Sequence, residues 1–375
     1  MPPPSDEDRR YMALALRLAE RGLGQTWPNP PVGCVIAKDG RLVGRGWTQP
    51  PPGNHAEVEA LNRAGLAALG ATAYVTLEPC CHYGRTPPCT MALIHAGIRR
   101  VVVAAKDPFP RVDGRGIDQL RQAGIAVDVG LFEAEAEAHN AGFLLNVGHQ
   151  RPLVTLKLAT TLDGKIATRL GESMWITGER ARNSGHQLRA SHDAILIGSG
   201  TALADDPTLT CRLPGLTNHS PVRVVLDRQC RLPLNSRLVQ TAREIPTWLI
   251  TSAKAPSAAV AAYKQAGIET IPVDLDTQAE NQLDLAEVLA ALAKRGITRL
   301  LVEGGASVAA SLLRLGLVDH LAWFQAPMVI GGDGRPSIET LSVDHLDQAP
   351  SFVRNTCEML ASDVGATYIV RKPLG

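Results

Sequence analysis

The sequence predicts an α/β protein built from two successive domains, and three observations lead there. The chain has 375 residues, more than one hydrophobic core usually serves. Short apolar runs such as Val101–Ala105 alternate with helical patterns from end to end. The alternation pauses at Gly148-His149-Gln150-Arg151-Pro152, which reads as a connection, and then restarts; the expected domains are therefore 1–148 and 149–375.

In the first domain, residues 9–22 place Met12, Leu14, Ala15, Leu16 and Leu18 at helical spacing, and Gly22 and Gly24 follow as stop signals. Val32–Ala37 and Leu42–Trp47 read as strands joined by a turn at Lys38-Asp39-Gly40. His55–Ala68 returns to helical spacing, Ala73–Leu77 is a buried strand, Thr90–Ala96 a helix, Val101–Ala105 a further buried strand, and Glu133–His139 a helix. That order places a central sheet between helices. In the second domain the strands are Leu153–Leu158, Ala194–Ile197, Val222–Leu226, Thr247–Ile250, Leu300–Val302 and His320–Phe324, with helical patterns at Leu283–Lys294 and Ser307–Leu315.

Composition removes several function classes. Thirty-eight basic against 37 acidic residues leave a formal charge of +1, so no global field draws the chain to nucleic acid or an anionic membrane. An anionic ligand must be held by a few local groups. No apolar run approaches the roughly 20 residues that span a bilayer, and MPPPSDEDRR lacks the pattern of a secretory signal. Seven cysteines, an odd count, argue against a disulfide framework and for a reducing cytoplasm in which thiols are free to bind metal.

The chemistry concentrates in one constellation. His55-Ala56-Glu57 opens a helix, and Glu78-Pro79-Cys80 and Pro87-Pro88-Cys89 follow. One imidazole and two thiolates form a three-ligand zinc site whose fourth position stays open to water, and zinc lowers the pKa of such a water to about 7. Glu57 lies two residues beyond His55, close enough to pass a proton without being a ligand. The pattern matches the H-x-E and P-C signature of zinc deaminases, with Glu as general acid and base, except that eight residues rather than two separate the cysteines. Cys81 is a rival ligand; Cys89 is preferred because it follows Pro and starts a helix, where the dipole favours thiolate. The competing readings are a closed structural zinc site or no metal. Cys34, Cys211, Cys230 and Cys357 lack partners at ligand spacing and read as small core residues.

These motifs carry a resemblance. Pro28-Asn29-Pro30-Pro31-Val32-Gly33, His55-Ala56-Glu57-Val58 and the stretch from Glu78 through Arg85 to Cys89 resemble the bifunctional deaminase/reductase of riboflavin biosynthesis, in which the long loop between the cysteines is usual. The resemblance continues through Leu162-Asp163-Gly164-Lys165, Leu188-Arg189-Ala190, Ala204-Asp205-Asp206-Pro207, Leu209-Thr210-Cys211-Arg212 and Val302-Glu303-Gly304-Gly305. It implies a cytidine-deaminase-like α/β/α domain followed by a dihydrofolate-reductase-like α/β domain, one zinc ion, NADPH, a phosphorylated pyrimidine substrate and a homo-oligomer. It also implies site residues. Asn29 would hydrogen-bond the pyrimidine and Arg85 would meet the phosphate at the deaminase site. Ala159, Trp175, Thr201, Asp205 and the run Gly305, Ala306, Ser307, Val308, Ala309, Ala310 and Ser311 would contact NADPH. Ser173, Arg189, Leu209, Arg212 and Glu303 would contact the ribosylamino substrate, with Arg189 and Arg212 forking onto its phosphate; Lys157 and Asp205 are candidates for polar help in the reduction. Thr161 stands where the family often has Ser, and Gly305 where it often has Pro.

By residues alone the second domain says less. No G-x-G-x-x-G follows a strand, and Gly198-Ser199-Gly200-Thr201 and Glu303-Gly304-Gly305 read either as phosphate-approaching turns or as ordinary strand-to-helix turns. Two other functions remain open here: a polynucleotide-editing deaminase, disfavoured by 4% aromatic residues and near-neutral charge, and a second domain that only scaffolds.

Overall fold

The structure is a computed structural model that describes residues 4–276 and 282–371. The chain divides between Gln150 and Arg151 into two units. The first contains α1 (Asp6–Ala19), β1 (Gly33–Lys38), β2 (Arg41–Trp47), α2 (Ala56–Ala64), β3 (Thr72–Leu77), α3 (Cys89–His95), β4 (Arg100–Ala105), α4 (Arg115–Gln122), β5 (Ala126–Val129) and α5 (Glu133–His149). Its five strands lie in the order β2-β1-β3-β4-β5. β1 runs antiparallel to β2 and β3, and β3, β4 and β5 are mutually parallel. Asp39 and Gly40 both adopt positive φ, at 50° and 74°, the backbone a tight β1–β2 hairpin demands.

Helices cover both faces. Residues in register across a strand pair share a face while neighbours alternate. Gly46, which pairs with Cys34, has no side chain because α2 passes there: a Cβ would strike the Ala56 carbonyl oxygen. Gly33, one residue from Cys34, faces α1 on the other side. Covered twice, β3 and β4 are buried at every position after the first.

α1 starts at a reciprocal cap: Ser5 Oγ accepts from Asp8 N and Ser5 N donates to Asp8 Oδ2, both at 3.1 Å. Asp8 is buried. Burial alone would raise its pKa, but hydrogen bonds from Arg100, Tyr74 and Ser5 outweigh that and lower it to about 2. Because the folded pKa lies below the ordinary 3.8, the stabilisation, about 2 kcal/mol, is present above pH ~4 and lost as pH falls through about 2. Asp8→Asn is therefore expected to lower the Tm at pH 7, with the gap to the unsubstituted protein closing on acidification. An equal gap at pH 2 and pH 7 would refute the linkage.

The second unit contains β6 (Leu153–Thr160), β7 (Lys165–Ala167), α6 (Glu179–Ala190), β8 (Ala194–Gly198), α7 (Ser199–Asp205), β9 (Val222–Leu226), α8 (Arg237–Gln240), β10 (Thr247–Ser252), α9 (Ser257–Ala266), β11 (Glu269–Val273), α10 (Leu285–Lys294), β12 (Arg299–Glu303), α11 (Ala306–Arg314), β13 (His320–Gln325), β14 (Arg335–Pro336), β15 (Phe352–Leu360) and β16 (Asp363–Val370). Nine strands form one sheet in the order β11-β10-β9-β8-β12-β6-β13-β16-β15. The pairings from β11 through β13 are parallel, and β16 and β15 close the edge as an antiparallel hairpin.

Some expectations shift. The connection expected at 148–152 is shorter, because α5 continues through Gly148 to His149 and Gln150 ends it in a left-handed conformation. The helix expected over His55–Ala68 stops at Ala64, where Gly65 turns to φ 53° before a 3-10 turn. Cys357 is not a core residue: it is exposed on β15, whereas Cys34 and Cys211 are buried.

Candidate active sites

β3 and the start of α2 and α3 assemble the first site. His55 caps α2, Glu57 lies in its first turn, Cys80 follows β3, and Cys89 opens α3. His55 Nδ1 lies 3.6 Å from Cys80 Sγ and 3.4 Å from Cys89 Sγ, and all three ligand atoms fall within 4.8 Å of one another. A tetrahedral zinc at its usual bond lengths needs about 3.6 Å between a nitrogen and a sulfur ligand, so the residues fit the ion. Cys81 is not part of this group; its Sγ reaches the Arg111 carbonyl at 3.5 Å.

The helix start works differently from expectation. The first N–H of α3, that of Cys89, donates to Cys80 Sγ at 3.4 Å, so the thiolate it favours is that of Cys80. The side chain of Cys89, His55 and this N–H together bring the Cys80 pKa down to about 4 despite burial. Glu57 is 4% exposed. Burial first, then the nearby Cys80 sulfur, push its carboxyl up to about 7. A cavity of about 220 Å³ opens onto His55 and Cys80, and Asn29 and Arg85 line it. The Asn29 backbone is pinned to Thr26 by two hydrogen bonds, of 2.8 and 3.0 Å, while Arg85 is exposed at the rim.

Glu78 heads the Glu78-Pro79-Cys80 unit, but the sequence assigns it no role. It is 3% exposed, and its two oxygens accept from the backbone N–H of Gly116 (2.9 Å), Gly114 (3.0 Å), Ile117 (3.2 Å) and Asp107 (3.3 Å). Its charge thus caps α4 and ties that helix to the chain two residues before Cys80. Gly116 permits the approach; a Cβ there would collide with the Pro79 carbonyl oxygen. Glu78→Gln puts a donor where acceptors are needed. It is expected to weaken zinc retention about 10- to 100-fold, read by competition with a chelator, while circular dichroism stays unchanged. Unaltered retention would show that the cap does not hold the ligand.

The second unit gathers polar residues at the exit of β12. Glu303 is bridged by Arg189 through Nε–Oε1 at 2.7 Å and Nη2–Oε2 at 2.9 Å, Arg189 Nη1 donates to the Thr210 carbonyl at 3.0 Å, and Lys157 Nζ lies 3.7 Å from Glu303. Burial would raise the Glu303 pKa, but the charges of Arg189 and Lys157 outweigh it and hold it at about 2. Trp175, His186, Arg212 and Phe324 complete the cleft. A larger cavity, about 330 Å³, lies beside the β8–α7 junction at Gly198–Gly200 and α11.

Comparison with known proteins fits both halves. Residues 5–105 match the cytidine and deoxycytidylate deaminase zinc-binding region, and residues 152–362 match the RibD C-terminal domain. The riboflavin biosynthesis protein RibD of Actinobacillus pleuropneumoniae is 42% identical over 369 residues, covering 98% of this chain and 96% of that protein. The chain belongs to the RibD family. RibD of Escherichia coli (strain K12) is 43% identical over 369 residues, covering 96% of this chain and 98% of its own length. Among solved structures, Acinetobacter baumannii RibD superposes with a TM-score of 0.87 at 37% identity, covering 98% of this chain and 99% of that one. A Thermotoga maritima diaminohydroxyphosphoribosylaminopyrimidine deaminase/5-amino-6-(5-phosphoribosylamino)uracil reductase superposes with a TM-score of 0.83 at 34% identity, covering 97% and 99% of the two chains.

The structure sorts the residues that the resemblance singled out. Ser307, Val308 and Ser311 line the larger cavity, whereas Ala309 and Ala310 are buried in the core. Ala306 opens α11 after Gly304 and Gly305, whose φ values are 100° and 85°; proline could not adopt the latter. Thr201 packs against that turn. Ala159 lies on β6, and Asp205 ends α7 on the surface, outside the Glu303 cleft. Trp175 is 63% exposed and lies under the Arg182 guanidinium at 4.8 Å, so it is not core packing. Ser173 is half-buried in the loop before Trp175 and does not line the cleft. Leu209 buries its side chain at φ 54°, leaving its backbone as its polar offering. The Nε and Nη2 edge of Arg189 is paired with Glu303, while Arg212 is exposed at the cleft, its Nε 3.4 Å from His186 Nε2.

Proposed function

We propose that this chain deaminates 2,5-diamino-6-ribosylamino-4(3H)-pyrimidinone 5′-phosphate and then reduces the ribosyl chain with NADPH to give 5-amino-6-ribitylaminouracil 5′-phosphate. The observation that carries this reading is the convergence of His55, Cys80 and Cys89 on one point, with Glu57 buried close by and Asn29 and Arg85 on the same cavity.

His55, Cys80 and Cys89 would hold the zinc, which when bound supplies the acidity that makes water nucleophilic at neutral pH. The Glu57 carboxylate takes a proton from the attacking water and delivers it to the departing ring amine, so water enters and ammonia leaves. Burial raises the proton affinity of the Glu57 carboxyl above that of an exposed carboxylate, which suits a group that both takes and returns a proton. Asn29 orients the pyrimidine, and Arg85 meets the phosphate at the rim. In the second unit Ser307, Val308, Ser311 and the Gly304–Gly305 turn bind NADPH, and the Glu303 cleft takes the ribosyl chain. Glu303, held ionised by Arg189, accepts from sugar hydroxyls. NADPH, when bound there, would supply the hydride for the reduction, and the cleft would hold the ribosyl chain where it can receive it.

Mass analysis of the products tests both steps. Without NADPH, zinc-loaded protein should replace one amine by a carbonyl oxygen and release ammonia. With NADPH, the product should gain two further hydrogens. Absence of ammonia release from this substrate would sink the deaminase assignment; deamination without NADPH oxidation would sink the reductase one.

A further inference from the structure

The larger cavity of the second unit has one wall at the start of α11 and another just beyond β9. Ser307, Val308 and Ser311 lie on the first; Asp227, Arg228 and Arg231 lie on the second, and the β8–α7 junction at Gly198–Gly200 also lines it. At about 330 Å³ it is within the range of small-molecule sites. The α11 start, with its two positive-φ glycines, suits a pyrophosphate. The far wall has a different character. Asp227 is 0% exposed; its Oδ2 accepts from Leu232 N at 2.8 Å, and its Oδ1 has no hydrogen-bond partner. Arg231 Nε approaches that oxygen only to 4.0 Å, and Arg231 Nη2 donates to Ser199 Oγ at 2.8 Å. The guanidinium is thus held from two sides while its side chain stays 53% exposed. A guanidinium carries five N–H donors, and among the described residues Arg231 spends few of them.

We infer that Arg231, braced by Ser199 and Asp227, is the group that reads the 2′-phosphate of NADPH and so selects it over NADH. This rests on the reductase reading above. The two dinucleotides share the pyrophosphate that the α11 start would take. They differ at the ribose 2′ position, where one offers a phosphomonoester and the other a hydroxyl. A planar, oriented guanidinium makes charge-assisted, bidentate bonds to the former and gains little from the latter.

The test is calorimetric titration of the full-length protein and its Arg231→Gln and Arg231→Lys variants with NADPH, NADH and 2′,5′-ADP. Arg231 is exposed at the rim, so its replacement leaves the core intact. Arg231→Gln should weaken NADPH and 2′,5′-ADP about 10- to 100-fold and leave NADH within about twofold. Arg231→Lys should restore part of the loss, and the KM for NADPH should rise with kcat little changed. Equal weakening of NADPH and NADH would place Arg231 at the shared pyrophosphate and overturn the assignment, as would no change in either. A wild-type chain that binds no NADPH at all would overturn the reductase reading and this inference with it.

Discussion

Glu57→Gln is expected to stop ammonia release while reduction of an already deaminated substrate continues at the unsubstituted rate. Gln keeps the shape of the side chain but cannot take a proton, and proton transfer by a placed group is worth about 10²–10⁴-fold. Glu57 is almost fully buried in the first turn of α2, where a charge is unfavourable, so a neutral isostere should not unfold the unit. Zinc content should also hold, because the ligand group is His55, Cys80 and Cys89. Three measurements separate the alternatives: ammonia release, NADPH oxidation with deaminated substrate, and bound zinc. Loss of zinc would make Glu57 a ligand. Loss of both activities in a folded variant would contradict two separate sites.

Arg189→Leu is expected to destabilise the second unit by about 3–5 kcal/mol, the usual consequence of leaving one partner of a buried ion pair alone. Glu303 would keep the Lys157 ammonium, at 3.7 Å, but lose its bidentate partner, and its carboxyl pKa would climb from about 2. The sign with pH follows. The folded pKa lies below the ordinary 4.5, so the stabilisation exists above about pH 4.5 and is lost as pH falls through about 2. Denaturant unfolding should therefore show the largest gap between the two proteins near neutrality and a shrinking gap in acid. Replacing both partners by Leu should recover much of the stability but not the reductase activity. A double variant as unstable as Arg189→Leu alone would show that the loss is packing, not charge.

The zinc group was legible because few residue types ligate zinc and a short motif holds each of them. Glu78 was not, because its partners are backbone N–H groups that any sequence supplies. Most central strands of both sheets were legible as short apolar runs, but α4, β5 and the edge strand β11 were not: α4 is short, polar residues surround its three buried positions, Gly116, Ile117 and Leu120, and β11 is broken by Pro272 and opens on Glu269. The β15–β16 hairpin escaped because β15 is exposed along nearly its whole length and shows no alternation. The Glu303 cleft was visible only through resemblance. Arg189, Glu303 and Lys157 come from three distant segments that only the parallel sheet brings together, so no local spacing records them.

In each unit, residues with chemistry follow the exits of parallel strands: Cys80 after β3, Asp227 after β9, Glu303 at the end of β12. Durability and selectivity are thereby written on different residues. Strand interiors such as Val101–Val103 or Ile195–Ile197 can exchange one aliphatic side chain for another at under about 1.5 kcal/mol and never touch a ligand. A loop at a strand exit can change what is recognised without opening a core. Variation in such a chain is free to accumulate along two nearly independent axes, and a new substrate preference need not wait for a new fold.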